Sequence, residues 1–131
     1  MKKMILGLSL LLMLVQNGFA RTDAEFDALI NKQPTEVWKY TVRCSKEAMN
    51  HPNTGNLNYC LKAIALNEQF PYQLKKQNII NNFQNAGLLY YSSERNYVKA
   101  YEYTMKAAKL GSIYAQHNLD NMCREHSWVC R

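Results

Sequence analysis

This chain has no serine- or glycine-rich stretch that would serve as a linker, and after residue 20 it has no run apolar enough to cross a bilayer. The first absence points to one domain, and the second excludes an internal membrane span. Proline is scarce too: apart from Pro52, which sits in a turn-forming cluster, only Pro34 and Pro71 interrupt the chain. No Lys/Arg cluster is dense enough to track a phosphate backbone, which argues against a nucleic-acid partner. There is no Ser/His/Asp order, no glycine loop to cradle a phosphate and no paired-carboxylate motif. The expectation is therefore a non-enzyme without cofactor.

The first twenty residues read as an export signal. Lys2 and Lys3 precede an apolar run from Met4 to Val15, and Gly18-Phe19-Ala20 places small residues where a signal peptidase cuts, after Ala20. The run is shorter than the roughly 20 residues a span needs. No cysteine follows it, which argues against a lipidated N-terminus. Removing the segment leaves a single domain, 21–131, of ordinary domain size. Losing Lys2 and Lys3 lowers the formal charge from +6 to +4, a mild basic balance. The processed chain is expected to be periplasmic or secreted, without a membrane partner.

Four cysteines, Cys44, Cys60, Cys123 and Cys130, remain in the exported part, which reads as two disulfides in an oxidising compartment. The helical pattern selects among the three possible pairings. Thr22 and Glu25 form a capping box for a short helix that ends near Gln33, before Pro34. Pro34 suits the first turn of a second helix carrying Val37, Trp38, Thr41, Val42, Cys44, Ala48 and Met49. His51-Pro52-Asn53-Thr54-Gly55 breaks it, and Leu57, Tyr59, Cys60, Leu61, Ala63, Ile64 and Leu66 continue on a third. Helices joined by so short a turn lie antiparallel. Cys44 and Cys60 stand equally far from Pro52, about 12 Å up each arm at 1.5 Å per residue, so they are expected to bond.

A further helix is expected from about Tyr72 to Tyr91, with Leu74, Ile79, Ile80, Phe83, Ala86, Gly87 and Tyr90 inward. Ser93 is expected to cap the next, which stops at Leu110-Gly111. Ser112 caps a last helix to about Glu125. Cys123 and Cys130 can bond only if that helix stops and the chain folds back, since seven helical residues separate Cα atoms by over ~10 Å. Cys123, His126 and Cys130 could alternatively supply three zinc ligands, but the spacing fits no finger pattern and no metal is expected. Glu102 and Lys106 are spaced for an i,i+4 pair.

One pattern stands out from the rest. Asn85-Ala86-Gly87-Leu88-Leu89-Tyr90 is followed by Tyr97-Val98-Lys99-Ala100-Tyr101-Glu102-Tyr103, by Met105-Lys106-Ala107-Ala108-Lys109-Leu110-Gly111, and by a restart at Ala115-Gln116-His117-Asn118-Leu119. It resembles a Sel1-like repeat, an α/α unit related to the tetratricopeptide repeat. A shift of 33 residues sets Gln84-Asn85-Ala86 on His117-Asn118-Leu119, and a shift of 44 sets Tyr103-Thr104-Met105-Lys106-Ala107 on Tyr59-Cys60-Leu61-Lys62-Ala63. Asn82 stands where Ala115 stands in the next unit, Asp120 replaces the glycine and Cys123 the tyrosine, which suits a terminal cap. The resemblance implies an all-α fold: an α/α solenoid of about two helix-turn-helix repeats, with an extra N-terminal helix and a capping helix.

It also implies a protein-binding module whose concave inner face is lined by the first helix of each pair. The 33-residue shift pairs Gln84 with His117, Leu88 with Asn121 and Tyr91 with Arg124 at positions expected to lie outside the core. These six are the candidate contacts for a protein partner, an effector that the chain would neutralise as an immunity protein or an envelope protein that it would hold as an adaptor. Two alternatives belong to other classes. One is β-lactam binding or hydrolysis, as in disulfide-rich Sel1-like proteins, although the segment from Phe83 to Gly111 lacks their regular cysteine pair. The other is a structural envelope protein.

Overall fold

The computed structural model describes residues 20–130, so the segment read as an export signal lies, apart from Ala20, outside the described residues. Among the described residues the fold is all-α, with six helices: α1 (Asp23–Leu29), α2 (Glu36–Asn50), α3 (Asn58–Gln69), α4 (Lys76–Ser92), α5 (Tyr97–Lys109) and α6 (Ile113–Glu125). A 3-10 turn, Ile30–Lys32, extends α1, and another, Ser127–Cys130, follows α6.

Local sequence sets most of these boundaries. Thr22 and Glu25 form the reciprocal capping box, with Glu25 N donating to Thr22 Oγ1 at 3.1 Å and Thr22 N to Glu25 Oε1 at 3.2 Å. Ser112 caps α6 by accepting from Ala115 N at 3.1 Å, and Gly111 ends the preceding helix at φ 106°, a conformation that costs glycine little.

Three expected boundaries move. Pro34 lies ahead of α2, whose cap is Thr35, accepting from Trp38 N at 3.2 Å. The fourth helix starts at Lys76 rather than near Tyr72, because Leu74 is drawn from the loop into a cluster with Val37 and Leu66. Asn96, not Ser93, caps α5 by accepting from Lys99 N at 3.1 Å. Ser93 instead donates to Gly55 O at 3.2 Å, and Ser92 to Pro52 O, so both serines close α4 against the α2–α3 turn.

Each helix packs on its successor from α1 to α6, and α4 also lies against α2. The two ends of the stack are distinct. At one, Val37, Leu66 and Leu74 pack with Ile79, while Ile80, Ala107 and Ala115 pack with Leu110. This end therefore gathers the starts of α2, α4 and α6 and the ends of α3 and α5. At the other, Tyr91, Ala100 and Met122 form a cluster, and Leu89 sits against Gly55.

Two contacts set how closely the hairpin arms approach. Cys44 and Cys60 are bonded, with Cα atoms 4.5 Å apart and both side chains fully buried beside Ala48. In the second hairpin, a Cβ on Gly87 would collide with Thr104 Oγ1 and lie 3.2 Å from Ala100 O. Any larger residue there would force Thr104 to shift. Cys123 and Cys130 are also bonded, across Cα atoms 5.7 Å apart, because α6 stops at Glu125 and the 3-10 turn folds back.

Candidate binding groove and the exposed face of the last helix

The extra N-terminal helix does not stand apart from the stack. It folds back along α2, where Phe26 is buried and Trp38 Nε1 donates to Leu29 O at 2.7 Å. Lys46 bonds Asp27 at 2.9 Å, and Asp23 accepts from Asn50 at 2.9 Å and meets His51 Nε2 at 3.0 Å. The Asn50 hydrogen bond, followed by that of His51, holds the Asp23 carboxyl below its ordinary value of 3.8.

Between α1, α2 and α4 lies a cavity of about 100 Å³. Phe26, Leu29, Trp38, Val42 and Met49 supply its apolar wall, and Thr41, Ser45, Asn78, Asn81 and Asn85 its polar one. Among the described residues, Arg21, whose guanidinium lies 5.9 Å from the Phe26 ring centre, is the one charged residue lining it.

The polar wall is partly committed to the fold. Thr41 donates to Val37 O at 2.7 Å and accepts from Asn82 Nδ2 at 3.0 Å, tying α2 to α4. Asn81 accepts from Gln77 at 2.9 Å, and Asn85 Nδ2 reaches Ser45 Oγ at 3.4 Å. Among the described residues, the Asn81 NH2 group and the Asn85 carbonyl keep capacity for a visitor. Carboxamides and hydroxyls both donate and accept, so such a wall suits neutral polar groups such as peptide amides. It offers no acid–base pair.

The six candidate contacts divide by helix. On α4, Gln84, Leu88 and Tyr91 are buried, which corrects their assignment to positions outside the core. Gln84 accepts from Ser112 Oγ at 2.8 Å, Leu88 belongs to the cluster around Cys44, and Tyr91 donates to Glu125. Burial, with that bond second, raises the Tyr91 phenol well above the usual range. On α6, His117 and Arg124 are exposed and Asn121 is half-buried, with Arg124 donating to Asn121. Equivalent register yields different burial because α4 has neighbours on both sides and α6 packs mainly on α5.

Residues of the polar wall were not among those six. Their signal is the recurrence of amides at Asn78, Asn81 or Asn82, and Asn85, a polar stripe on a helix otherwise inside the stack. One further pairing shifts. Glu102 pairs with Lys99 at 3.3 Å, while Lys106 lies 4.8 Å from the Tyr103 ring centre. Cys123 and Cys130 are bonded to each other, and His126 between them stacks on Tyr97 with ring centres 3.8 Å apart. Among the described residues, no three His, Cys, Asp or Glu side chains gather as a metal site would require, and no helix is long and apolar enough to cross a membrane.

No protein-family model, curated protein or solved structure matches this chain.

Proposed function

We propose that this chain is an exported protein-binding module, a short helical array of the Sel1-like kind, whose partner docks at the groove between α1, α2 and α4. The observation that carries this reading is the groove's lining: carboxamides and hydroxyls opposite an aromatic and aliphatic wall, with no acid–base pair. Such a surface recognises a polypeptide through its amides and one apolar side chain. The exposed face of α6, with His117, Asn121 and Arg124, is a second part of the surface a large partner would cover.

Export is supported by the two disulfides, which suggest an oxidising, extracytoplasmic location, together with the Lys2-Lys3 and Met4-to-Val15 pattern. The array reading gains support from the hairpins. The 44-residue shift sets Thr104 on Cys60, and each makes a tight arm-to-arm contact in its hairpin, Thr104 with Gly87 and Cys60 with Cys44, although the same shift sets Cys44 on Leu88. An immunity protein that blocks a delivered effector and an adaptor that holds an envelope enzyme both fit this kind of module.

Affinity capture from cell-envelope and neighbouring-cell lysates with the oxidised, processed chain tests the reading. A dominant protein partner should be retained by the native chain and lost on Asn81→Ala with Met49→Ala. Retention by that variant and loss on His117→Ala with Arg124→Ala would move the site to α6. A partner indifferent to both variants, or none, would contradict a binding role for this surface.

A further inference from the structure

The loop between α3 and α4 and the turn between α5 and α6 are far apart in sequence but lie at one end of the stack, as the clusters around Leu74 and Ala115 require. That end carries Phe70, Tyr72, Ile113 and Tyr114, which are 45, 97, 65 and 43 % exposed. The other large exposed apolar side chains among the described residues, Val98 and Trp128, belong to the opposite end. Tyr72 also has φ 81°, a left-handed backbone that bulky residues rarely adopt and that signals strain. Its ring gains no burial in return for that strain.

Charge at the same end is one-sided. Lys32, Lys75, Lys76 and Lys109 are exposed there, and among the described residues none has an acid within 4.0 Å. Of the nearby acids, Glu36 lies 3.7 Å from Lys39, and only Glu68 remains. Protein interfaces favour exposed aromatics but are depleted in lysine. Aromatic rings that settle at headgroup level, ringed by lysines that meet lipid phosphates, instead match the surface of an anionic bilayer.

We propose that this end of the molecule docks reversibly on anionic phospholipid membranes, with Phe70, Tyr72, Ile113 and Tyr114 entering the headgroup region and the lysines pairing with phosphates. None of these residues lines the groove between α1, α2 and α4.

Co-sedimentation with vesicles tests it, using the exported, processed and oxidised chain. Binding is expected to vesicles of equal parts phosphatidylglycerol and phosphatidylcholine, not to phosphatidylcholine alone, and to weaken as salt rises. Lys75→Gln and Lys76→Gln should each weaken it roughly fivefold, from a contribution of about 1 kcal/mol per lysine near the surface. Tyr72→Ser, at an exposed position that no fold contact depends on, should weaken it as well. Trp128→Ser at the opposite end and Asn81→Ala in the groove should leave it unchanged. Failure to bind anionic vesicles, an equal loss with Trp128→Ser, or loss with the lysine variants alone would overturn the proposal. The Asn81→Ala control separates that failure from failure of the groove.

Discussion

The α2–α3 and α4–α5 hairpins bring their arms together by opposite chemical means. In the first, Cys44 and Cys60 are joined covalently, with Cα atoms 4.5 Å apart. In the second, the approach is permitted by a missing side chain, since any Cβ on Gly87 would meet Thr104 Oγ1. The first closure persists whatever its neighbours do. The second has no bond of its own and persists only while α2, α3 and α6 press on it from either side. The comparison shows that a helical hairpin can be closed either from within or by the rest of the stack.

The largest expected effect of breaking this arrangement is at the disulfide. Cys44→Ser removes a 16-residue loop closure worth about 3 kcal/mol and places a hydroxyl in a fully buried site, so it should lower the melting temperature most. Gly87→Ala comes next, at about 1–3 kcal/mol of overpacking. In a Thr104→Ala background much of that loss should disappear, because the colliding oxygen is gone and was itself buried without a hydrogen-bond partner. Strict additivity in a thermal-melt cycle over these variants would mean that the contact does not set the hairpin spacing.

Cys130→Ser should cost less than Cys44→Ser, below the ~2 kcal/mol the chain-entropy model allows for so short a loop. That bond is half-exposed and ties only the last 3-10 turn to α6. Equal melting temperatures for the two serine variants would erase the distinction between an internal closure and a terminal one. The smallest effect is on the clasp that holds α1 to α2. Because folding lowers the Asp23 pKa, its contribution is present above the ordinary carboxylate value of 3.8 and fades as pH falls through the folded value. The stability difference between the native chain and Asp23→Asn, measured by denaturant unfolding, should therefore shrink in acid and not in base.

What could be read from the sequence was local. Thr22, Ser112 and Gly111 announce helix ends because caps act within a few residues, and the equal spacing of Cys44 and Cys60 about Pro52 is a property of one hairpin. Ala86 and Gly87 were legible as inward positions of α4 from its periodicity alone, and both are buried. What failed depended on neighbours far along the chain. Leu74 shortens α4 because Val37 and Leu66 draw it inward, and Ser93 gives up the α5 cap to bond Gly55.

The candidate site was legible only in part, for a related reason. Gln84 and His117 share a register, yet Gln84 is enclosed by the turn that carries Ser112 while His117 faces outward. Register predicts direction on a helix, not how many neighbours wait there. The groove itself exists because α1 folds back onto α2 through Trp38 and Lys46, a contact that no periodicity encodes.

The most direct test of the proposed repeat is to give the second hairpin the closure of the first. Gly87→Cys together with Thr104→Cys, in a chain oxidised during export, should form a third disulfide. Peptide mapping should find the two substituted positions linked to each other, with no free thiol. Two free thiols at these positions, or exchange with Cys44 and Cys60, would contradict the proposal that the two hairpins are copies of one repeat.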